Sequence, residues 1–149
     1  MYRLLLIDDE ESVRTAVTRR LKREGFVVTE AENALDGIEK IQSAEPSYDL
    51  VITDMSMEDP DAGLRVLNAA VARDLFSEVI IMTAFGNVDN AVECMRRGAF
   101  DYIEKNKPGT DVYELLTQKV LQAMDRRRQD TRNVDRWAKA AKIQQERNQ

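Results

Sequence analysis

The chain has 149 residues, 43% of them hydrophobic, with a net charge of −5, no histidine and one cysteine. That length suits one domain of ordinary size plus an appendage. The lone Cys94 excludes an intrachain disulfide framework and cannot build a zinc site alone, and the missing histidine removes the commonest metal ligand and general base, so any chemistry must use carboxylates, hydroxyls, lysine and backbone.

The first predicted element is an apolar strand, "RLLLID" (3–8), which runs straight into four acids, Asp8, Asp9, Glu10 and Glu11. Its apolar run is too short for a signal peptide. No stretch of the chain approaches the roughly 20 apolar residues of a membrane span, so the cytoplasm is the expected compartment and no membrane partner is expected. Ser12 is the expected N-cap of a helix running to about Glu24, with Val13, Val17 and Leu21 as its stripe and Gly25 as its C-terminal stop. A strand over "FVVTEA" (26–31) follows. Asn33 is the expected cap of the second helix, striped by Leu35, Ile38 and Ile41.

The third strand, "YDLVITD" (48–54), ends in Asp54. Leu64, Leu67 and Val71 mark the third helix. "EVIIMT" (78–83) is the fourth strand, ending in Thr83, and Val88, Val92 and Met95 mark the fourth helix, with Gly98 at its end. "FDYIEK" (100–105) is the fifth strand, ending in Lys105. After the loop "NKPGT" (106–110), a last helix starts near Asp111. Its apolar pattern holds to about Met124. Residues 125–149 are polar, lack Gly and Pro, and carry 8 Lys+Arg against 4 Asp+Glu, a net of +4 beside −9 for the rest. Such asymmetry reads first as a solvated helix. The spacing predicts that the fifth helix continues unbroken at least to Trp137. Val120, Met124, Thr131, Val134, Ala138 and Ala141 form a seven-residue pattern, with Arg127 on the seam.

Strand and helix alternate five times, and the strands are apolar on both faces. That argues a parallel sheet covered on both sides by helices. In such sheets ligands bind outside the carboxyl ends of the strands, where strand order reverses. If the first and third strands are neighbours, the carboxylates of Asp8, Asp9 and Asp54 converge there. Alone they would repel and raise one another's pKa. Mg²⁺ resolves this, because it prefers oxygen ligands and keeps waters for a phosphate-bearing partner. A carboxylate can act as a nucleophile and form an aspartyl-phosphate. Thr83 offers a hydroxyl and Lys105 a cation for the transferred group.

These residues resemble the receiver domain of two-component response regulators. "LLLIDDE" is similar to that family's acidic pair, "DLVITDMSM" to its phosphoacceptor strand, "VIIMTAFG" to its switch threonine and "GAFDYIEK" to its switch aromatic and lysine. The resemblance covers about residues 2–124, and "TAFGNVDNAVECMRRGAFDYIEK" is most similar to receivers of nitrogen-control-type transcriptional activators. It implies a (βα)5 flavodoxin-like doubly wound parallel sheet of strand order 2-1-3-4-5, with the C-terminal helix extended. Residues 1–124 would form the receiver and 125–149 a polar, basic helical extension or linker.

The resemblance further implies that Asp54 accepts a phosphoryl group from a sensor histidine kinase or phosphotransfer protein. Asp8, Asp9, Asp54 and the Ser56 carbonyl would hold Mg²⁺, with Asp8 acting through water, and Thr83 and Tyr102 would relay the switch. With Arg127 on the seam and small alanines beside it the tail is a poor coiled coil, so at best a weak or phosphorylation-dependent homodimer is expected, through the C-terminal helix or through the face of the fourth helix, fifth strand and fifth helix; direct nucleic-acid binding is not expected. Two features depart from the family pattern. Glu58 rather than proline follows Met57, and the loop to Gly63 is one residue longer. Asn106 rather than proline follows Lys105, so that bond is expected to be trans, since cis before a non-proline residue costs roughly 2.5–4 kcal/mol.

Two other functions compete. A small aspartyl-phosphate hydrolase usually carries a second aspartate two residues past its nucleophile, and Ser56 stands there. A pseudo-receiver that acts only by binding would not need the complete acid, threonine and lysine set. A nucleotide-binding module is excluded by the lack of a Gly-rich phosphate loop after the first strand.

Overall fold

A computed structural model describes residues 1–148. The elements are β1 (Arg3–Ile7), α1 (Glu11–Arg23), β2 (Val27–Ala31), α2 (Ala34–Ser43), β3 (Leu50–Asp54), α3 (Ala62–Arg73), β4 (Glu78–Ala84), α4 (Asp89–Arg96), β5 (Asp101–Lys105) and α5 (Val112–Arg147). The five strands form one parallel sheet in the order β2-β1-β3-β4-β5. The order reverses beside β1, so β1 and β3 are neighbours, with Ile7 in register with Thr53.

Side chains alternate across a strand, and the sheet uses both faces. Leu5, Ile7, Val51, Val79 and Ile81 pack under α2, α3 and α4. Leu4, Leu6, Leu50, Ile52, Ile80 and Met82 pack against α1 and α5 through Val17, Leu21, Leu116, Val120, Ala123 and Met124. Burial on both faces explains why the central strands β1, β3 and β4 read as nearly continuous apolar runs, while the edge strands β2 and β5 are mostly half-buried or exposed and carry polar residues. Among the described residues no helix is long and apolar enough to cross a membrane.

Several local expectations change. Ser12 lies inside α1 and does not cap it: the helix begins at Glu11 and has no side-chain cap. Asp8 already serves the entry turn, since its Oδ1 accepts the Glu10 amide at 2.9 Å. Asn33 does cap α2, accepting the Asp36 amide at 2.8 Å. The α2 and α4 stripes are shifted. Leu35 and Val92 are exposed, while Ala34, Gly37, Ala91 and Cys94 face the core. Small residues win these positions because the helices lie close on the sheet, with Gly37 against the Ile7 side chain. Gly25 and Gly98 follow their helices at φ of 95° and 106°, as helix C-terminal stops require.

The β3–α3 loop returns tightly on the strand end. The Gly63 amide donates to the Met55 carbonyl at 2.9 Å. A Cβ at Gly63 would stand 2.9 Å from Met55 Cα and 3.0 Å from the Asp54 carbonyl oxygen. Both are backbone atoms that cannot swing aside. Gly63→Ala is therefore expected to destabilise by about 1–3 kcal/mol, the usual range for overpacking, as read by urea denaturation. A change below about 0.5 kcal/mol, the scale of an ordinary surface substitution, would refute the close approach.

α5 is one unbroken helix of 36 residues, roughly 54 Å long at 1.5 Å per residue. Asp111 caps it, accepting the Tyr113 and Glu114 amides at 3.1 and 3.2 Å. The helix passes Trp137 as expected, and Val134, Trp137 and Ile143 are exposed on its projecting part. Val120 and Met124, the first members of the seven-residue pattern, are buried in their own domain. Arg127, on the seam, turns inward to Asp49 and Asp74 at 2.7 and 3.2 Å. Its neighbour Arg126 reaches Glu78, at the start of β4, at 2.6 Å and lies over the Phe100 ring.

Candidate functional site

The carboxyl ends of β1, β3, β4 and β5 open on a cleft of about 260 Å³ lined by Asp9, Glu10, Asp54, Ser56, Ala84, Asn87, Lys105 and Asn106. Lys105 organises it. Its Nζ donates to Asp8 Oδ2 at 2.7 Å and to Asp54 Oδ2 at 3.0 Å. Asp8 is fully buried behind the cleft, and both its oxygens are engaged, one by Lys105 and one by the Glu10 amide. Asp54 is 7% exposed. Among the described residues no hydrogen bond reaches its Oδ1, so this oxygen is the free one.

The electrostatics follow from this packing. Burial pushes the Asp54 carboxyl above its ordinary value of 3.8; the Lys105 ammonium pulls it back, while Asp8 and Asp9 push it further up. Burial would lower the Lys105 ammonium, but its bonds to Asp8 and Asp54 outweigh that and raise it. The native Asp54 thus keeps its proton to higher pH than the unfolded chain does. Its contribution to stability is present below the ordinary value and is lost as pH rises through the raised native one. Lys105 stays charged throughout this range. In metal-free buffer the stability advantage of Asp54→Asn over the wild type should therefore grow as pH rises from the ordinary carboxyl value through the raised native one. A pH-independent difference in urea denaturation would show that the site does not strain this charge.

The cleft suits a hard divalent cation. Its wall offers oxygens from Asp9, Glu10, Asp54 and Ser56 and carries no histidine or cysteine, and its one amine, Lys105, is an ammonium paired to Asp8 and Asp54. Carboxylate oxygens of Asp8, Asp9 and Glu10 lie within 4.8 Å of one another. Mg²⁺ prefers such oxygens and few carboxylates. Asp9, Asp54 and the Ser56 carbonyl are the residues that would hold it, with Asp8 one layer behind.

Thr83 and Tyr102 do not line the cleft. Thr83 is buried, and its hydroxyl donates to the Asn87 carbonyl at 2.5 Å. That bond closes the β4–α4 loop over the cleft wall. Tyr102 is half-buried and packs against the core beneath α4. Lys105–Asn106 is trans, as expected, and Asn106 takes the chain around at φ 57°, a left-handed conformation that asparagine tolerates better than most residues. The sequence reading missed Glu10, Asn87 and Asn106. Glu10 was visible as the next acid in the run. Asn87 contributes a main-chain carbonyl, which no residue type announces.

Residues 4–117 match the response regulator receiver domain. The chain belongs to this family. The receiver is 35% identical over 117 residues to the chemotaxis protein CheY of Listeria monocytogenes, covering 78% of this chain and 96% of that one. It is 33% identical over 120 residues to the regulatory protein AtoC of Escherichia coli, covering 80% of this chain and 25% of AtoC. It is 30% identical over 116 residues to the acid tolerance regulatory protein ActR of Rhizobium meliloti, covering 78% of this chain. The receiver thus spans 58% of ActR and a quarter of AtoC, but nearly all of CheY. Among solved structures, a receiver domain protein from Clostridium thermocellum matches with TM-score 0.76 and 30% identity, covering 86% of this chain and 98% of that one. NtrX from Brucella abortus matches with TM-score 0.78 and 26% identity, covering 91% of this chain and 30% of that one. The likeness to receivers of the NtrC and NtrX type agrees with the sequence reading.

Proposed function

We propose that this receiver takes a phosphoryl group onto Asp54 from the phosphohistidine of a sensor histidine kinase or phosphotransfer protein, and signals by a change of shape. One observation carries the reading. A single lysine amine bridges two buried carboxylates on neighbouring strands and leaves Asp54 Oδ1 free in an acidic, oxygen-walled cleft.

The free Oδ1 attacks phosphorus as the P–N bond to the donor imidazole breaks, and the bond electrons leave with the imidazole. This chain has no histidine, so the donor imidazole lies outside it. Asp9, Asp54 and the Ser56 carbonyl would hold Mg²⁺, which when bound would neutralise charge on the transferred oxygens. Lys105 is anchored by Asp8, and its ammonium remains beside Asp54 to stabilise charge on the new group.

Thr83 couples the site to the surface. Its hydroxyl gives up the Asn87 carbonyl and donates to a phosphoryl oxygen. The loop before α4 is released, and Tyr102 repacks into the space beneath it. The two arrangements differ by one hydrogen bond and one aromatic packing, a two-state element biased by local charge. The test is to incubate the full chain with Mg²⁺ and a small phosphodonor such as phosphoramidate, and to map the label by mass spectrometry under conditions that preserve acyl phosphates. Label on Asp54 that disappears with EDTA supports the reading. Metal-independent label, or label elsewhere, overturns it.

A further inference from the structure

The β3–α3 loop carries a side chain whose position the reaction itself does not explain. Glu58 reaches out of this loop to the first turn of α2. Both its carboxylate oxygens lie 3.0 Å from the Ala34 amide, and one lies 3.4 Å from the Leu35 amide. The first amides of a helix have no partner within the helix and carry partial positive charge, so a carboxylate there is well placed. Asn33 serves the Asp36 amide of the same turn, and Glu58 serves the two that precede it.

Strand order gives this contact its reach. The loops after β2 and β3 stand on either side of β1, because the sheet runs β2-β1-β3. The Glu58 side chain therefore ties together the two loops that flank the β1 end, which delivers Asp8 and Asp9. Met55 is buried, and its amide donates to the Met82 carbonyl at 2.7 Å. On the far side, Asp59 pairs with Arg65 and accepts the Asp61 amide at 2.9 Å. Only Ser56 and Met57 lie between the fixed points Met55 and Glu58, and Ser56 is on the cleft wall.

We propose that Glu58 is a positioning residue: by holding the α2 N-terminus it fixes the span that presents the Ser56 carbonyl to a divalent cation in the cleft. This rests on the metal site described under the proposed function.

The test is direct Mg²⁺ binding to the full chain by isothermal titration, without phosphodonor, for the wild type, Glu58→Ala, Glu58→Gln and Asp9→Asn. Glu58→Ala should weaken binding about tenfold, at the low end for a residue that orients a metal ligand. Glu58→Gln keeps a carbonyl acceptor for the Ala34 amide and should recover most of the loss. Amide exchange at Ala34 and Leu35 should accelerate in Glu58→Ala and much less in Glu58→Gln. If Asp9→Asn loses Mg²⁺ binding while Glu58→Ala binds like the wild type, the role of Glu58 is refuted and the metal site stands. Equal losses in the Ala and Gln variants would also refute it. If Asp9→Asn itself binds Mg²⁺ like the wild type, the metal is not in this cleft and both readings fall.

Discussion

Asp54→Asn will take up no label from phosphoramidate and Mg²⁺ above background. The acceptor must offer a nucleophilic oxygen that is both free and accessible. Asp54 Oδ1 is such an oxygen, since Lys105 occupies only Oδ2. Asp8 is closer to Lys105 but fully buried, with both oxygens taken. Asp9 lies on the cleft wall but makes no ion pair with Lys105, so charge arriving on it would lack that neighbour. The amide of asparagine keeps the shape of the site and removes the nucleophile, and losing a nucleophile typically costs several orders of magnitude in rate. The same variant should be more stable than the wild type in metal-free buffer near neutral pH, because it removes a charge that burial, Asp8 and Asp9 disfavour. Loss of label together with gained stability separates a missing nucleophile from a damaged fold. Label retained at the wild-type level would remove Asp54 from its proposed role.

The residues that made this site legible stand at strand ends. Asp8, Asp54, Thr83 and Lys105 each close an apolar run in the sequence, and parallel strands bring such ends to one edge. Asp8, Asp54 and Lys105 then meet directly. Thr83 is turned to Asn87 instead, a choice of rotamer that the sequence does not encode. The central strands β1, β3 and β4 were legible because burial on both faces leaves little room for polar residues. Helix faces were less so. Leu35 and Val92 follow helical spacing yet face solvent, while Ala34, Gly37 and Ala91 are buried. At those positions close approach selected small side chains, and hydrophobicity alone misplaced the face. Glu58 and Arg127 were hidden for another reason. Each is a charged residue whose partner lies 24 to 78 positions away in the chain, and only the folded topology brings them together.

Arg127→Met will destabilise the domain and loosen the helix beyond Met124. Arg127 is three residues, nearly one turn, past Met124, the last buried residue of α5, and its side chain is 15% exposed. Nε donates to Asp49 Oδ1 at 2.7 Å and Nη2 to Asp74 Oδ2 at 3.2 Å. Asp49 also accepts the Arg3 amide at the start of β1, and Asp74 accepts the Ser47 hydroxyl and the Phe76 amide. One guanidinium therefore clasps the long helix to the amino edge of the sheet, at the end opposite the cleft. Burial pushes the Asp74 carboxyl up, but Ser47, the Phe76 amide and Arg127 outweigh it and hold it below its ordinary value of 3.8. The clasp is imperfect, since Arg127 Nη1 is buried and meets no hydrogen-bond partner among the described residues. Its worth lies between the roughly 0–1 kcal/mol of an exposed pair and the roughly 3–5 kcal/mol lost on breaking a buried one, so about 2 kcal/mol is expected by urea denaturation. Methionine keeps most of the stem's packing, which leaves the charge as the variable. Past this point the helix is polar and exposed, and an isolated helix of that length is marginal in water. Amide exchange from residue 125 onward should therefore accelerate in Arg127→Met, with the fraying reaching back toward Ala123. Arg128→Met is the control, because Arg128 is 57% exposed and, among the described residues, pairs only with Asp125 on its own helix. It should leave both stability and exchange near wild type. Equal effects from the two substitutions would mean that position 127 matters only as one more helical residue, and that Asp49 and Asp74 do not hold the helix.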